Sequence, residues 1–241
     1  MGRVRIGTSG WHYKHWLGNF YPPKLPASKM LAFYLERFDT VELNNTFYRL
    51  PSEDALTEWR DSTPAKFCFA VKGSRFITHN KKLADPEPAL DRFLPKVEVL
   101  GDKLGPILFQ LPPQWKLNLE RFESFLNALP TEHHYAFEFR NKTWNVDAVY
   151  KLLRRHKAAY CIFHLEGFQS PLEITADFVY VRLHGPGGKY QGSYSDEDLG
   201  VWADRIQSWR RRKKVYVYFD NDQAAHAAHN ALRLRELIGE A

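Results

Sequence analysis

The 241-residue chain has no apolar run near the ~20 residues that a membrane-spanning helix needs, so we expect no segment to cross a bilayer. It has no apolar signal region at its start, and the sequence therefore predicts a cytoplasmic protein. Glycine and proline are not in excess, with 14 of each, and no low-complexity linker divides the chain. These absences exclude collagen, a coiled coil and extensive disorder, and they predict a single domain over residues 1–241.

Cysteine is also scarce, and the sequence lacks the common metal-binding spacings. Cys68 and Cys161 each lie in an apolar strand-like run, which predicts buried, reduced thiols. There is no His-Glu-x-x-His, Cys-x-x-Cys or His-x-His motif, so no metal site is predicted. The sequence indicates neither a cofactor nor an oligomeric state.

Short apolar runs rich in β-branched and aromatic residues recur along the whole chain and predict eight strands. Their predicted bounds are 3–8, 40–47, 66–72, 106–111, 135–140, 159–164, 178–184 and 215–220. Helix signals lie between them, including N-caps at Ser52 and Asn118 and a capping-box pattern from Ser195 to Asp198. Pro95 is expected to kink or divide the helix that begins after Asp85.

Eight strands alternating with helices in about 240 residues predict a TIM-type (β/α)8 barrel. The alternative, an open doubly wound sheet, usually has a glycine-rich phosphate turn after its first strand. Here that turn reads Gly7-Thr8-Ser9-Gly10-Trp11 and lacks the third glycine. One crossover departs from the pattern, because residues 165–177 have little helical periodicity, so we expect an irregular connection between barrel strands six and seven.

Polar side chains close every predicted strand, at the face where barrel enzymes place their chemistry. Residues two apart on a strand share a face, so Phe137 and Phe139 should point to the helices while Glu138 and Arg140 point away from them. The same parity applies to the second and seventh strands. The predicted inward set is Glu42, Asn44, Glu138, Arg140, Arg182 and His184. Such charges must be paired if they are buried, so we expect a connected network, which could also be purely structural.

This set favours acid/base chemistry on an anion. Glu42, Glu138 and His184 are the predicted catalytic residues, with Glu138 and His184 as the proton-transfer pair. The predicted substrate-binding residues are Trp11, Asn44, Lys72, Gln110, Arg140, Arg182 and Asn221. Arginines and a lysine suit a carboxylate or phosphate. The last strand leaves a choice open, because either Asp220 or Asn221 could turn inward.

A net charge of +6 adds to the preference for anionic partners. The loop after the first strand is rich in aromatic residues, among them Trp11, Trp16, Phe20 and Tyr21. Such a loop could stack nucleic-acid bases, or it could form a hydrophobic lid packed on neighbouring loops.

Several long motifs resemble the YecE-like family, catalogued as domain of unknown function 72. They run in order over essentially the whole chain: 7–11, 20–22, 41–48, 103–112, 137–140, 181–185 and 218–222. The resemblance implies a TIM-type barrel and brings no activity with it. By analogy of fold alone, it is similar to barrels of the xylose-isomerase and endonuclease IV kind, which bind metals and sugars or abasic DNA.

The sequence therefore predicts a cytoplasmic barrel protein that acts as a hydrolase-like acid/base enzyme. Its substrate is expected to be anionic, either phosphorylated or derived from nucleic acid. The alternative is a non-catalytic module that binds nucleic acid or a phosphorylated small molecule. No membrane partner is expected.

Overall fold

The structure is a computed structural model that describes residues 1–240. Its nine strands are β1 Val4–Thr8, β2 Thr40–Leu43, β3 Cys68–Lys72, β4 Leu104–Leu111, β5 Tyr135–Phe139, β6 Ala159–Leu165, β7 Phe168–Gln169, β8 Phe178–Leu183 and β9 Lys214–Phe219. Its seven α-helices, within the described residues, are α1 Met30–Leu35, α2 Glu53–Ser62, α3 Pro86–Glu98, α4 Leu119–Ala128, α5 Asp147–Arg155, α6 Asp196–Trp209 and α7 His226–Leu237.

The strand order is β1-β9-β8-β6-β5-β4-β3-β2, and the two-residue β7 pairs only with β6, antiparallel to it. Ser9, immediately after β1, forms a parallel bridge with Glu42 of β2, so these two end strands of the order are also neighbours. Eight parallel strands in this order, alternating with helices, form a TIM-like α/β barrel. The predicted fold class is confirmed.

The predicted irregular crossover is confirmed as well. Between β6 and β8, residues 166–177 form a turn, the short strand β7 and extended chain, with no helix among them. Ser170 holds this segment against β6, since its backbone N–H donates to Phe163 O at 2.9 Å and its Oγ accepts from Phe163 N at 2.8 Å. Within residues 1–240, no helix has the length and apolar character that a membrane span requires.

The chain divides into two compact units. The terminal unit contains Met1–Glu42, Ile162–Leu172 and the described chain from Phe178 onward, and the central unit contains Leu43–Cys161 and Glu173–Asp177. In the terminal unit, β9 pairs with β1 and β8, and α7 packs on β1 through buried alanines. In the central unit, β4 pairs with β3 and β5.

The packing of the central unit shows the alternation of side chains between the two faces of β5. The ring of Phe137 contacts Phe122 and Phe125 of α4, with centroid distances of 5.1 and 6.2 Å. The Phe139 ring also meets Phe122, at 5.5 Å. The two phenylalanines of β5 thus face the helices as predicted, and Glu138, between them, points to the opposite face of the sheet.

Two local predictions were wrong. Strand β2 ends at Leu43 instead of residue 47, because Thr46 Oγ1 donates to Leu43 O and Lys72 O, at 2.8 and 2.6 Å, and the chain turns there into a 3₁₀ segment. The predicted division of helix α3 at Pro95 is also wrong, because the helix continues through this exposed residue to Glu98, while the alternative of a kink stays a prediction. The predicted caps at Ser52, Asn118 and Ser195 are confirmed by hydrogen bonds to the first turns.

The aromatic loop after β1 is packed inward. Trp11, Trp16, Phe20 and Tyr21 are each 9% exposed or less. Trp16 Nε1 donates to Asp222 O at 2.8 Å, and the rings of Phe20 and Tyr21 both contact that of Trp16. Of the two expectations for this loop, the structure shows the packed lid for these four rings.

Candidate functional site

The terminal unit buries a group of charged side chains around one arginine. We define the Arg182 cluster as Ser9, Glu42, Tyr180, Arg182, His184 and Asp220. Arg182 and His184 have no exposed surface, and the side chain of Asp220 is 9% exposed. The expected pairing of buried charges is therefore present in this unit.

Strand geometry brings the cluster together. Tyr180, Arg182 and His184 lie two residues apart at the end of β8, so they share one face. Arg182 is in register with Tyr218 of β9, which places Asp220, two residues further on, beside them on the same face. Ser9 and Glu42 join the cluster because a parallel bridge between these two residues brings the ends of β1 and β2 together.

Glu42 is fully engaged as a hydrogen-bond acceptor. Its Oε1 accepts from Ser9 Oγ at 2.6 Å and from Arg182 Nη2 at 2.7 Å, and its Oε2 accepts from the Tyr180 hydroxyl at 2.6 Å. Arg182 Nε donates to both oxygens at 3.1 Å. Through these contacts, the carboxylate of Glu42 holds Arg182 in one orientation.

Asp220 joins Arg182 to His184. Its Oδ2 accepts from Arg182 Nη2 at 2.9 Å and lies 3.1 Å from His184 Nδ1. An ionised carboxylate can only accept, so Nδ1 of His184 is the donor in this contact. The arrangement is a carboxylate–histidine pair with a fixed tautomer.

Burial and nearby negative charges raise the pKa of three groups in and around this cluster. Burial, followed by the charge of Glu42, raises the pKa of Tyr180 well above its usual value. Burial and then the charge of Asp220 raise the pKa of Tyr13, whose hydroxyl donates to Ser9 O at 2.5 Å. Burial, followed by Asp220, likewise raises the pKa of Asp222, one residue past Asn221.

The central unit carries a second polar group at its strand ends. We define the Lys72 cluster as Asn44, Lys72, Gln110, Glu138 and Arg140. Gln110 is in register with Glu138, and Lys72 is in register with Leu108, two residues before Gln110. Residues in register on neighbouring strands share a face, so these side chains point to the same side of the sheet. Arg140 Nε donates to Glu138 Oε1.

Two buried acceptors in the Lys72 cluster have no hydrogen-bond partner. They are Oδ1 of Asn44 and Oε1 of Gln110. Lys72 is 5% exposed, and its Nζ lies 4.3 Å from the centre of the Phe47 ring. His79 contacts the same ring at 5.0 Å, and burial, followed by Lys72 and Arg75, lowers the pKa of His79 to about 4.

The predicted site residues are thus distributed over both units. Trp11, Glu42, Arg182, His184 and Asn221 belong to the terminal unit, and the other five form the Lys72 cluster. The choice at the end of β9 is resolved. Asp220 contacts Arg182, whereas Asn221 Nδ2 donates to Gly192 O at 2.8 Å and Asn230 Oδ1 at 2.9 Å.

Sequence reasoning missed two members of the Arg182 cluster. Tyr180 is absent from the predicted site residues, although it lies two residues before Arg182 and parity could have found it. Ser9 was interpreted as part of a turn, and no local signal marks its contact with Glu42. In the central unit, the contact of His79 with Phe47 was also missed.

Both cysteines lie within residues 1–240. Cys68 and Cys161 are buried thiols that form no disulfide, as predicted. Within that range, no group of three or more histidine, cysteine, aspartate and glutamate side chains is arranged to hold a metal ion. Cys161 Sγ lies 3.9 Å from Glu138 Oε2.

Similar proteins were found by sequence and by structure. The chain is 27% identical over 271 residues to the UPF0759 protein YunF of Bacillus subtilis (strain 168), covering 98% of this chain and 94% of that one. It is 29% identical over 250 residues to the UPF0759 protein YecE of Escherichia coli (strain K12), covering 93% and 88%.

A solved DUF72 family protein from Thermotoga maritima MSB8 is 30% identical, with a TM-score of 0.89 over 99% of this chain and 100% of that one. Another, from Enterococcus faecalis V583, is 17% identical with a TM-score of 0.84, over 99% of this chain and 96% of that one, and shows the shared fold alone. A family model described as "Protein of unknown function DUF72" matches residues 5–241. The chain therefore belongs to the DUF72 family.

Proposed function

We propose that this protein is a hydrolase-like acid/base enzyme whose substrate is anionic, either phosphorylated or derived from nucleic acid, and that His184 transfers the proton. The contact that carries the proposal joins His184 Nδ1 and Asp220 Oδ2 at 3.1 Å. A histidine whose second nitrogen is fixed by a carboxylate is a common arrangement for a general base.

His184 has one role before bond cleavage and another after it. Neutral Nε2 accepts a proton from the attacking water as the new bond to the substrate forms. The imidazolium that results is stabilised by Asp220 and then returns the proton to the leaving group, so the proton balance closes. Arg182 Nη2 also donates to Asp220 Oδ2, which holds this carboxylate in one orientation.

Glu42 acts in this proposal as a positioning residue. All five of its contacts hold Arg182 or are made by hydroxyls beside it, so no lone pair is directed to a substrate. This differs from the catalytic role that the sequence predicts for Glu42. The predicted pairing of Glu138 with His184 in proton transfer stays a prediction.

Substrate reaches His184 only if its covering loop moves. The ring of Tyr190 lies 5.4 Å from that of His184, and Tyr190 adopts a left-handed φ of 61°. The loop begins at Gly185, which has a φ of 104° and where a Cβ atom would come within 2.1 Å of Gln191 O. We assign opening of residues 185–192 to substrate entry.

The Lys72 cluster, described by itself, also favours an anion. Lys72 and Arg140 provide positive charge, which suits a phosphate or carboxylate. The acceptors of Asn44 and Gln110, which have no partner among residues 1–240, suit hydroxyl or amino groups of a bound molecule, because a buried acceptor without a donor costs about 1–3 kcal/mol. A phosphorylated sugar or a nucleotide carries both kinds of group.

The alternative of a non-catalytic binding module receives less support. It relied on the aromatic loop as a stacking surface, and four of those rings are buried. The fixed tautomer of His184 has no role in simple binding.

The test compares His184→Asn with the wild type on three substrates: p-nitrophenyl phosphate, bis-p-nitrophenyl phosphate and glucose 6-phosphate. Asparagine keeps a donor to Asp220 but removes Nε2, so kcat should fall by about 10²–10⁴. His229→Asn, at an exposed histidine, is the control and should leave kcat unchanged. A wild type inactive on all three substrates, or an unchanged rate in His184→Asn, would contradict the proposal.

A further inference from the structure

An open groove in the central unit contains none of the residues to which the proposed function assigns a role. It has a volume of about 570 Å³. Ser74, Phe76 and Ile77 line it from the chain after β3, and Arg92, Phe93 and Lys96 line it from α3. The groove therefore begins two residues beyond Lys72, at the carboxyl end of β3.

The groove exposes aromatic surface. Phe76, in its wall, is 46% exposed, and Tyr48, two residues before the lining residue Leu50, is 75% exposed. They are the two most exposed aromatic side chains of residues 1–240. The ring of Phe47 contacts the ring of Tyr48 at 4.9 Å and that of His79 at 5.0 Å. His79 lies in the same helical turn as Phe76, so Phe47 is in contact with both segments.

The backbone holds Phe76 outward. Phe76–Asn80 forms a π-helical turn, a rare conformation that is frequent at functional sites. Lys82, Leu83 and Asp85 follow in left-handed conformations, with φ of 48°, 63° and 43°. Leu83 N donates to Ile77 O at 3.0 Å, and both of these side chains are buried. Such strained backbone persists where the surrounding structure enforces it, and it concentrates at ligand sites.

Positively charged residues adjoin both Tyr48 and Phe76 in the sequence. Arg49 follows Tyr48 and Arg75 precedes Phe76, and both arginines are exposed. Arg92 and Lys96 lie one helical turn apart on α3. None of these four cations forms a salt bridge within residues 1–240. Glu53 and Asp91 also line the groove, so these six charged groups carry a net charge of +2.

From these observations we infer that the groove binds single-stranded nucleic acid. Bases stack on the rings of Tyr48 and Phe76, and the adjacent cations contact the phosphates. An acidic peptide would use the cations but leaves the two exposed rings without a planar partner. A single small anion would engage neither ring.

The experiment measures fluorescence anisotropy of fluorescein-labelled single-stranded oligonucleotides of about ten nucleotides, as DNA and as RNA, with the full chain. Phe76→Ala and Tyr48→Ala should each raise Kd at least about fivefold, and Phe76→Trp should restore tight binding. Arg75→Gln and Arg92→Gln should each reduce the slope of log K against log salt by about 0.7.

The controls lie in the terminal unit. Phe168→Ala removes an aromatic ring that is 37% exposed, and Arg211→Ala removes an exposed cation. Both should keep the wild-type Kd, and thermal unfolding should show that every variant folds. Unchanged Kd in Phe76→Ala and Tyr48→Ala would overturn the inference. So would a poly-glutamate peptide that displaces the oligonucleotide at equal concentration. His184→Asn should bind the oligonucleotide with the wild-type Kd, because the groove is independent of the proposed catalytic residue.

Discussion

The two polar clusters at the strand ends differ in how completely their hydrogen bonds are made. In the terminal unit, Glu42 accepts five contacts, and Arg182 is shared between two carboxylates. In the central unit, buried carbonyl oxygens of Asn44 and Gln110 have no partner. A satisfied network fixes geometry, while buried acceptors without a protein partner accept hydrogen bonds from a ligand or from water.

The proposal above assigns a different role to each cluster. In the Arg182 cluster, Glu42 and Asp220 hold Arg182, which gives the fixed geometry that the proposed proton transfer needs. The Lys72 cluster combines positive charge with two acceptors that lack a partner within residues 1–240, which suits the proposed binding of an anion. The predictions below test this division from the largest expected effect to the smallest.

Removing the charge of Glu42 should have the largest effect. Glu42→Gln leaves Arg182 buried without its main counter-charge, and we expect a loss of about 3–5 kcal/mol in the free energy of unfolding, measured in urea. The control Glu123→Gln breaks the exposed ion pair with Arg155 and should cost less than about 1 kcal/mol. If the two variants lost equal free energy of unfolding, the buried pair of Glu42 with Arg182 would stabilise the fold no more than the exposed pair of Glu123 with Arg155, and the prediction would be wrong.

In the central unit, loss of a cation should affect binding more than folding. Lys72→Met should raise the Kd for glucose 6-phosphate, measured by calorimetry, about tenfold or more, because a hydrogen bond to a charged group contributes about 1.5–3 kcal/mol. Lys116→Met, at an exposed lysine, serves as the control. If Lys72→Met changed only the unfolding midpoint and left this Kd as in the wild type, the recognition role would be wrong.

Removal of an unsatisfied acceptor should increase stability. Gln110→Leu replaces a buried amide that lacks a partner at Oε1 within residues 1–240, so the free energy of unfolding should rise by about 1 kcal/mol. Gln207→Leu is the matched control, since Gln207 Nε2 donates to Ile238 O at 3.0 Å and its loss should destabilise. Destabilisation of both variants alike would show that Gln110 is satisfied in the folded protein.

The smallest effect is expected for His79, because its side chain is partly exposed and solvent screening reduces the free energy that its pKa shift represents. Its pKa of about 4 in the folded protein lies below the 6.5 of an unperturbed histidine, so the unfolded chain binds more protons between these values. The stability that neutral His79 contributes is present above pH 6.5 and is lost as pH falls toward 4. His79→Gln should therefore lose less unfolding free energy than the wild type over this range. Parallel stability curves for the two proteins would contradict the assignment.

The fold and part of the site were predictable because both follow from alternation. Strand–helix repetition indicated the barrel, and the parity of residues 137–140 placed Phe137 and Phe139 against α4. The choice between Asp220 and Asn221 stayed open because both residues lie beyond the end of β9 at Phe219, and the contact of Asp220 with Arg182 resolves it. Parity failed at β2, because Thr46 bonds two carbonyls and turns the chain.

Contacts between residues distant in sequence could not be predicted in the same way. Ser9 meets Glu42 because the ends of β1 and β2 are neighbours, and Tyr180 reaches the same carboxylate from β8. Nothing local in Gly7–Trp11 distinguishes a serine that donates to a buried carboxylate from one in a simple turn. Unsatisfied acceptors such as Gln110 Oε1 likewise become visible only when the surroundings of each polar atom are known.

The most direct test of the central claim, that His184 and Asp220 transfer the proton as one unit, is a double-mutant cycle on kcat/KM. It uses His184→Asn, Asp220→Asn and the double variant with bis-p-nitrophenyl phosphate. Residues that act as a unit are non-additive, so the double variant should be no slower than His184→Asn alone. Losses that multiply across the two substitutions would show that the residues act independently and would contradict the account.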